Sequence, residues 1–311
     1  MGAKIIAMGE TVLDILFHER QTKDGKECVP FAAVPGGSSF NSMVSVGRSG
    51  VPCLFIGYTG NNRVGHQIVD FMKCNGISTD YFEVREGERA ALSLAYLDEH
   101  GDADYVFYKD APVASSNYQK PKFTSKDYFL YGSYFAICPG LRAQVSDVLH
   151  SVHDSGAVVY YDINFRRSHQ HEKAELMPTI QENCQLSSIV RGSADDFEIL
   201  FGTRNPEEVY HKYIASFCPV FICTAGAGHI FICTPSGTHD FLVPQIPSEE
   251  IVSTVGAGDS FNAGFLCAMR AKGIRKEMLS TMERNQWEEL VAKGIEYASS
   301  VCRSSENYIS R

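Results

Sequence analysis

No stretch of the 311-residue chain approaches the roughly 20 consecutive apolar residues of a membrane span. The opening MGAKIIAMGE has neither the long apolar core nor the cleavage region of a secretory leader, so a cytoplasmic location without a membrane partner is expected. Clusters of Lys and Arg are missing as well, and the formal charge is -9; both argue against a nucleic-acid surface, which needs cations against phosphates. The ten cysteines contain no CxxC pair and read as reduced thiols of core or surface. His169 and His171 have no nearby Cys or further His to complete a metal site and read as part of a solvated loop. Two nucleotide signatures are also absent. No Gly-Lys-Ser/Thr closes a Walker loop, and no GxGxxG follows the first apolar run, which leaves a dinucleotide oxidoreductase without its fingerprint.

What is present is an ordinary globular composition, 44% hydrophobic and 21% charged, enough to bury a substantial core. Short β-rich runs recur at 4–9, 53–58, 157–163, 220–226 and 229–234. Between several of them lie segments with helical spacing, marked by Phe40, Met43 and Val44, by Ile68, Val69 and Met72, and by Val145, Val148 and Leu149. Each ends near a glycine: Gly50, Gly76 and Gly156. Strand and helix in alternation imply a mainly parallel sheet with helices on both faces, whose ligands sit beyond the carboxyl ends of the strands. Residues 89–110 break the alternation and read as a hairpin around His100-Gly101-Asp102. Residues 12–33, with a Lys23-Asp24-Gly25 turn, are expected to supply its partner strands. Such a small sheet is suited to be a lid or a dimer surface.

The stretch STVGAGDSFNAGF at 253–265 carries the chemistry. As structure alone it is a turn before a helix, capped by Asp259 or Ser260, with Phe261, Phe265 and Leu266 on an apolar face. As a site it is an anion cradle, in which loop and first-turn amides of Gly256, Ala257, Gly258 and Asp259 point at a phosphate. Asp259 then stands where a base would take the proton of an attacking hydroxyl.

Five motifs in order extend this reading: PGGSSFNSMVSVGRSG at 35–50, GYTGNNRVG at 57–65, YDINFR at 161–166, CTAGAG at 223–228 and the cradle itself. Together the chain resembles the PfkB, or ribokinase-like, carbohydrate kinases from about residue 5 to about 302. ERAALSLAYLDEHGDADYVFYKDAP at 88–112 and GSYFAI at 132–137 are most similar to fructokinases and 2-keto-3-deoxygluconate kinases. The resemblance implies one ribokinase-like domain over 1–311, a three-layer α/β/α sandwich with a lid from about 12–33 and 89–110. It also implies transfer of the γ-phosphoryl group of ATP, with Mg²⁺, to a hydroxyl of a monosaccharide, fructose first, and pairing of two copies through the lid.

By the same resemblance Asp259 is the base. Asp14, Gly36, Gly37 and Asn41 hold sugar hydroxyls, and Phe107, Lys109 and Arg166 reach the substrate. Ser193, Thr224, Gly226, Gly228 and Gly294 flank the nucleotide. Asp196, or Asp195 one residue away, arranges Mg²⁺ through water. Lys109 stands where an Arg is expected, so a bidentate grip on a carboxylate is lost and a neutral sugar is favoured. Ser253 replaces an Asp that helps bind a monovalent cation, which puts potassium dependence in doubt; Asn62 replaces an Asp and Ile163 a Pro. Three other readings stay open: a kinase for another sugar, a kinase for a sugar acid or nucleoside, and a non-catalytic sugar or nucleotide-binding regulator.

Overall fold

The computed structural model describes residues 2–17, 21–23, 26–97, 103–115 and 118–311. The turn expected at 100–102 and two of the three residues of the one at 23–25 lie outside them. The chain begins with β1 (Ile5–Met8), β2 (Val12–Phe17), β3 (Gln21–Lys23), β4 (Lys26–Cys28) and β5 (Phe31–Gly36), then α1 (Ser38–Arg48), β6 (Cys53–Gly60) and α2 (Arg63–Cys74). Next come β7 (Ile77–Ser78), β8 (Phe82–Arg85), β9 (Ala91–Leu97), β10 (Ala103–Tyr108), β11 (Tyr128–Gly132), α3 (Ser133–Ile137), α4 (Arg142–Asp154), β12 (Val158–Asp162) and α5 (Lys173–Leu186). The last third holds β13 (Ile189–Ser193), α6 (Ala194–Phe201), α7 (Pro206–Val209), β14 (Val220–Ala225), β15 (His229–Thr234), β16 (Gly237–Leu242), α8 (Ala257–Lys272) and α9 (Arg284–Cys302).

The large sheet runs in the order β16-β15-β14-β13-β12-β11-β1-β6-β7, with β8 also on β6. From β14 to β7 its pairs are parallel, and the β14–β15 and β15–β16 pairs are antiparallel, so that β15 runs against the rest. Side chains of a strand alternate between faces, so a strand buried on both faces is apolar throughout, as Ile5–Met8 is. Ile5 and Ala7 join one core with Phe40 of α1, Ile68 of α2, Phe265 of α8 and Trp287 of α9. Ile6 and Met8 join the other with Phe135 of α3, Val148 of α4, Ile180 of α5 and Phe197 of α6. The result is the three-layer α/β/α sandwich with a mainly parallel sheet that the alternation predicts.

The hairpin at 89–110 is present as β9 and β10, paired from Ala103 opposite Leu97 to Tyr108 opposite Leu92. β2 and β5 complete a separate four-stranded sheet, β10-β9-β2-β5, while β3 and β4 pair only with each other. In that small sheet Phe107, Ser93, Asp14 and Val34 lie side by side in one row across four strands. Members of a row point to one face, so Asp14 and Phe107 share a face.

Two local expectations need correction. Neither Asp259 nor Ser260 caps α8: Gly256, at φ 80°, is its N-cap without a side-chain bond, and Asp259 sits in the first turn. The left-handed glycine starts the helix early, and the Asp259 carboxylate is engaged elsewhere. His169 and His171 belong to a short 3₁₀ turn, Arg167–Glu172, rather than a loop. There His169 hydrogen-bonds Glu172 at 2.9 Å and stacks on Tyr134 with centroids 3.8 Å apart. The two unexpected residues also have local roles. Asn62 caps α2 by accepting from the Gly65 amide at 3.0 Å, and the Ile163 amide donates to the Arg191 carbonyl at 2.8 Å, a bond proline cannot make.

Candidate active site

Two helix N-termini meet at the carboxyl ends of the parallel strands. α1 follows β5 through Gly36-Gly37, and α8 follows the loop at 251–256. Ser38 Oγ donates to Asp259 Oδ1 at 2.8 Å, and Asn41 Nδ2 donates to Asp259 Oδ2 at 2.9 Å. Ser42 Oγ donates to the Asp259 carbonyl at 2.8 Å, and Ser45 and Ser260 share a hydroxyl contact at 3.1 Å. One side of α1 therefore holds the first turn of α8 and fixes the rotamer of its acid.

The glycines at these junctions answer to close approach. A Cβ on Gly36 would fall on the Asp14 carboxylate, and Gly37, at φ 122°, faces the Glu10 carbonyl. Gly256 would press a Cβ on the Asn307 carbonyl, and at Gly258 a Cβ would come within 3.0 Å of Arg191 Nη2. Within the cradle, the Ala257 amide already donates to the Thr254 carbonyl at 3.2 Å, and the Ser260 amide to Gly256 at 2.8 Å. Among the described residues the amides of Gly256, Gly258 and Asp259 make no such bond, so these three donors are the available ones. Ala257 is thus a spacer rather than a donor.

The electrostatics follow from burial. Half-buried Asp259 is pushed from its ordinary 3.8 up to about 6 by desolvation, with the Asp162 carboxylate adding to the rise. Its bonds from Asn41 and Ser38, and the Arg166 charge, pull the other way. Asp14 is likewise raised to about 6 by burial; the Ser93 hydroxyl, which donates to it, opposes the rise, and Asp259 and Glu10 reinforce it. Two carboxylates with reinforced proton affinity in one cleft mark a place built for proton transfer or polyol binding.

The other expected residues divide into groups. Asn41 gives its amide nitrogen to Asp259 and keeps a buried Oδ1 with no partner among the described residues. Lys109 pairs with Glu10 at 2.7 Å and lies 5.3 Å from the Phe107 ring centre; Phe107 itself is 49% exposed. Arg166 is exposed and within electrostatic reach of Asp259. Gly226, at φ 58°, and Gly228 form the hairpin turn between β14 and β15, closed by the Gly228 amide on the Ala225 carbonyl at 3.1 Å. Thr224 accepts from Arg191 at 3.0 Å. Gly294 lies in α9 against the Phe261 ring of α8, so close helix packing accounts for it without a ligand.

Asp196 and Ser193 form a capping box on α6: Asp196 Oδ2 takes both the Ser193 amide at 2.7 Å and its hydroxyl at 2.8 Å. Burial raises the Asp196 carboxyl, and Oδ2 is the oxygen that this cap occupies. Asp195 points to the surface and pairs with Arg204 at 2.5 Å.

Sequence reasoning missed Ser38, Ser93, Glu10, Arg191 and Asn262. Arg191 had a signal, a lone cation inside the strand Ile-Val-Arg-Gly-Ser. Ser93 had one too, a small polar residue at an inward position of β9.

Comparison with known proteins identifies the family. The model of the pfkB family carbohydrate kinase matches residues 3–310. The chain is 26% identical over 275 residues to the probable fructokinase-4 of Arabidopsis thaliana, covering 85% of this chain and 81% of the relative. Aminoimidazole riboside kinase of Salmonella enterica, solved with aminoimidazole riboside and an ATP analogue, superposes with a TM-score of 0.81 at 21% identity, over 97% of this chain and 94% of that one. A double mutant of Vibrio cholerae fructokinase with fructose, ADP and a potassium ion superposes at 0.83 and 20% identity, over 98% and 94%. Among the described residues no helix is long and apolar enough to cross a membrane. With the family match spanning nearly its whole length, this chain belongs to the pfkB family of carbohydrate kinases, phosphotransferases that act on a sugar hydroxyl.

Proposed function

We propose that the protein transfers the γ-phosphoryl group of ATP to a hydroxyl of a neutral keto-hexose, fructose above others, with Asp259 as general base. The observation that carries the reading is the Asp259 carboxylate, held on both oxygens by Ser38 and Asn41 beside the open amides of Gly258 and Asp259. A nucleotide phosphate fits that cradle: helix-terminal donors point at it and glycines leave it room. Bound ATP supplies the phosphoryl group, and Mg²⁺ neutralises its charge. Asp259 takes the proton of the acceptor hydroxyl as its oxygen bonds to phosphorus and the bond to the leaving ADP oxygen breaks. The amides of Gly258 and Asp259 hold the charge that develops; one such donor is commonly worth about 3 kcal/mol.

Asp14, through its carboxylate, and Asn41, through its free Oδ1, suit hydroxyls of the sugar. Thr224, Gly226 and Gly228 border the nucleotide, and Arg166 lies on the acceptor side. Among the described residues no three His, Cys, Asp or Glu side chains converge on one point. A magnesium ion therefore fits as one held by phosphates and waters, with Asp196 reaching it through water, which is this ion's habit. Ser253 Oγ accepts from the Val255 amide at 3.2 Å and offers no charge to a potassium ion.

Charge supports the neutral acceptor. Lys109 is neutralised by Glu10, and Glu10 and Asp259 both act on Asp14. A substrate carboxylate entering beside these acids would be repelled. The small sheet then serves as a lid, Phe107 supplying an apolar wall on the face that carries Asp14. Exposed Phe31, Val106 and Tyr108 on its edge strands suit pairing with a second copy. The test is ATP consumption with hexoses, pentoses, 2-keto-3-deoxygluconate and aminoimidazole riboside. Fructose should give the highest kcat/KM; a higher value for the sugar acid or the riboside would overturn the substrate, and no turnover with any of them would overturn the activity.

A further inference from the structure

Arg191 bonds to Thr224 and lies beside Gly258, the two halves of the proposed phosphate site. It sits on β13 with 8% of its side chain exposed. Nη1 donates to both Asp162 oxygens, at 3.0 and 3.1 Å, and Nη2 donates to Thr224 Oγ1 at 3.0 Å. The guanidinium lies against the Gly258 backbone, close enough that an added Cβ would meet Nη2 at 3.0 Å and Nη1 at 3.4 Å. Asp162 in turn accepts from Asn262 Nδ2 of α8 at 2.7 Å, and Asn262 Oδ1 accepts from the Tyr160 hydroxyl at 3.0 Å. The ends of β12, β13 and β14 and the start of α8 are thus joined through one guanidinium.

Packing alone does not account for it. Burial works against the Arg191 charge, and the Asp162 carboxylate overrides it and keeps the guanidinium protonated. A buried ion pair is commonly no more stable than apolar side chains of the same volume. Here the cation also lies beside a helix N-terminus, whose own partial charge is positive and opposes it. Its Nε–H is buried with no acceptor among the described residues. That arrangement is unfavourable for a resting protein and favourable for one that receives an anion at Gly258.

We propose that Arg191 is a positioning residue for phosphoryl transfer. It fixes the Gly258 and Asp259 amides against the Thr224 turn, so that the nucleotide and the transferring phosphate are held in one register, and it adds a fixed positive field behind the cradle. This rests on the reading of residues 256–259 as the phosphate cradle. Its weight falls on the transition state, where charge and geometry at the phosphate are most demanding.

The test compares two complexes by titration calorimetry in the parent, Arg191→Met and Arg191→Lys, with thermal midpoints recorded. One complex is a non-hydrolysable ATP analogue with Mg²⁺; the other is ADP, Mg²⁺ and aluminium fluoride with the best acceptor, which mimics the planar transferring group. Arg191→Met should leave the analogue Kd within about threefold, weaken the aluminium fluoride complex about thirtyfold or more and lower kcat in parallel, with Arg191→Lys recovering part of both. Asp162→Asn, which removes the carboxylate that holds Nη1 and leaves the Thr224 contact in place, should show the same split at about fivefold and serves if Arg191→Met does not fold. Equal weakening of both complexes, or no change in either, would overturn the role. If the parent binds neither complex and consumes no ATP, the cradle reading fails and this inference falls with it; if the parent binds both and the variants match it, only Arg191 is misassigned.

Discussion

Replacing Asp259 by Asn should separate chemistry from stability, because the carboxylate proposed as the base is unfavourable to the fold. Desolvation lifts this group from 3.8 to about 6, so the folded protein holds its proton more tightly than the unfolded chain does. Well below pH 3.8 the acid is neutral in both states and the penalty is absent; it builds as the unfolded chain ionises above 3.8. As pH rises through 6 the folded protein must carry the buried charge, at a cost of up to about 3 kcal/mol; partial solvent contact reduces this to about 1–2 kcal/mol. The amide removes that cost. It also keeps its neighbours: Ser38 still donates to the remaining oxygen, and Asn41, by turning its amide over, offers the now unpartnered Oδ1 to the new NH₂. Urea unfolding should therefore show Asp259→Asn more stable than the parent by about 1–2 kcal/mol at pH 8 and indistinguishable from it well below pH 3.8. Turnover should fall about 10²- to 10⁴-fold, since the amide accepts no proton. The parent kcat/KM should itself decline as pH falls through about 6, where Asp259 is protonated. Turnover within about threefold of the parent, or a stability gain that is the same at both pH values, would refute the reasoning.

Three further outcomes are expected. Potassium titrated at constant ionic strength should activate the enzyme weakly or not at all, because Ser253 presents a hydroxyl already bonded to the Val255 amide; a large response would mean that carbonyl oxygens suffice. Phe107→Ala should raise the ratio of sugar-independent ATP hydrolysis to sugar phosphorylation, since the row it shares with Ser93 and Asp14 loses its apolar end; an unchanged ratio would remove Phe107 from the lid. Gly36→Ala should raise KM for the sugar by tenfold or more, about 1.4 kcal/mol, while leaving the ATP analogue Kd unaltered, because the added methyl group displaces the Asp14 carboxylate and nothing at the cradle; a normal sugar KM would show that Asp14 does not contact the acceptor.

Why some of this was legible and some was not comes down to the distance along the chain over which each feature is decided. The strands and helices are local: Ile5–Met8 is apolar at every position because both faces are covered, and α2 shows Ile68 and Met72 on its buried side. The cradle is local too, since Gly256 and Gly258 precede their acid by three residues and one. The helix cap was misread within this same stretch, because nothing in the letters says that Gly256 adopts a left-handed angle and starts the helix one turn early.

The environment of the acid is a different matter. Ser38 and Asn41 reach Asp259 across sequence separations of 221 and 218 residues, and Asp162 meets Asn262 across 100. No periodicity spans such gaps. Only the order of strands in the sheet brings these residues together: β1 and β6 beside α1 on one side, β12 to β14 on the other, and α8 packed over the join. A sequence pattern therefore points to the proposed proton acceptor by its glycine-rich surroundings but is silent on what sets its proton affinity. The same holds for Arg191, whose isolation in an apolar strand announced a partner without saying which. Its partners come from two neighbouring strands in parallel register, where Asp162 lies directly opposite Arg191, and Ser193, two residues on, lies opposite Thr224. Parallel pairing of sequence-distant strands thus joins Asp162, Arg191 and Thr224 into one charged cluster beside Gly258, beneath the proposed phosphate cradle.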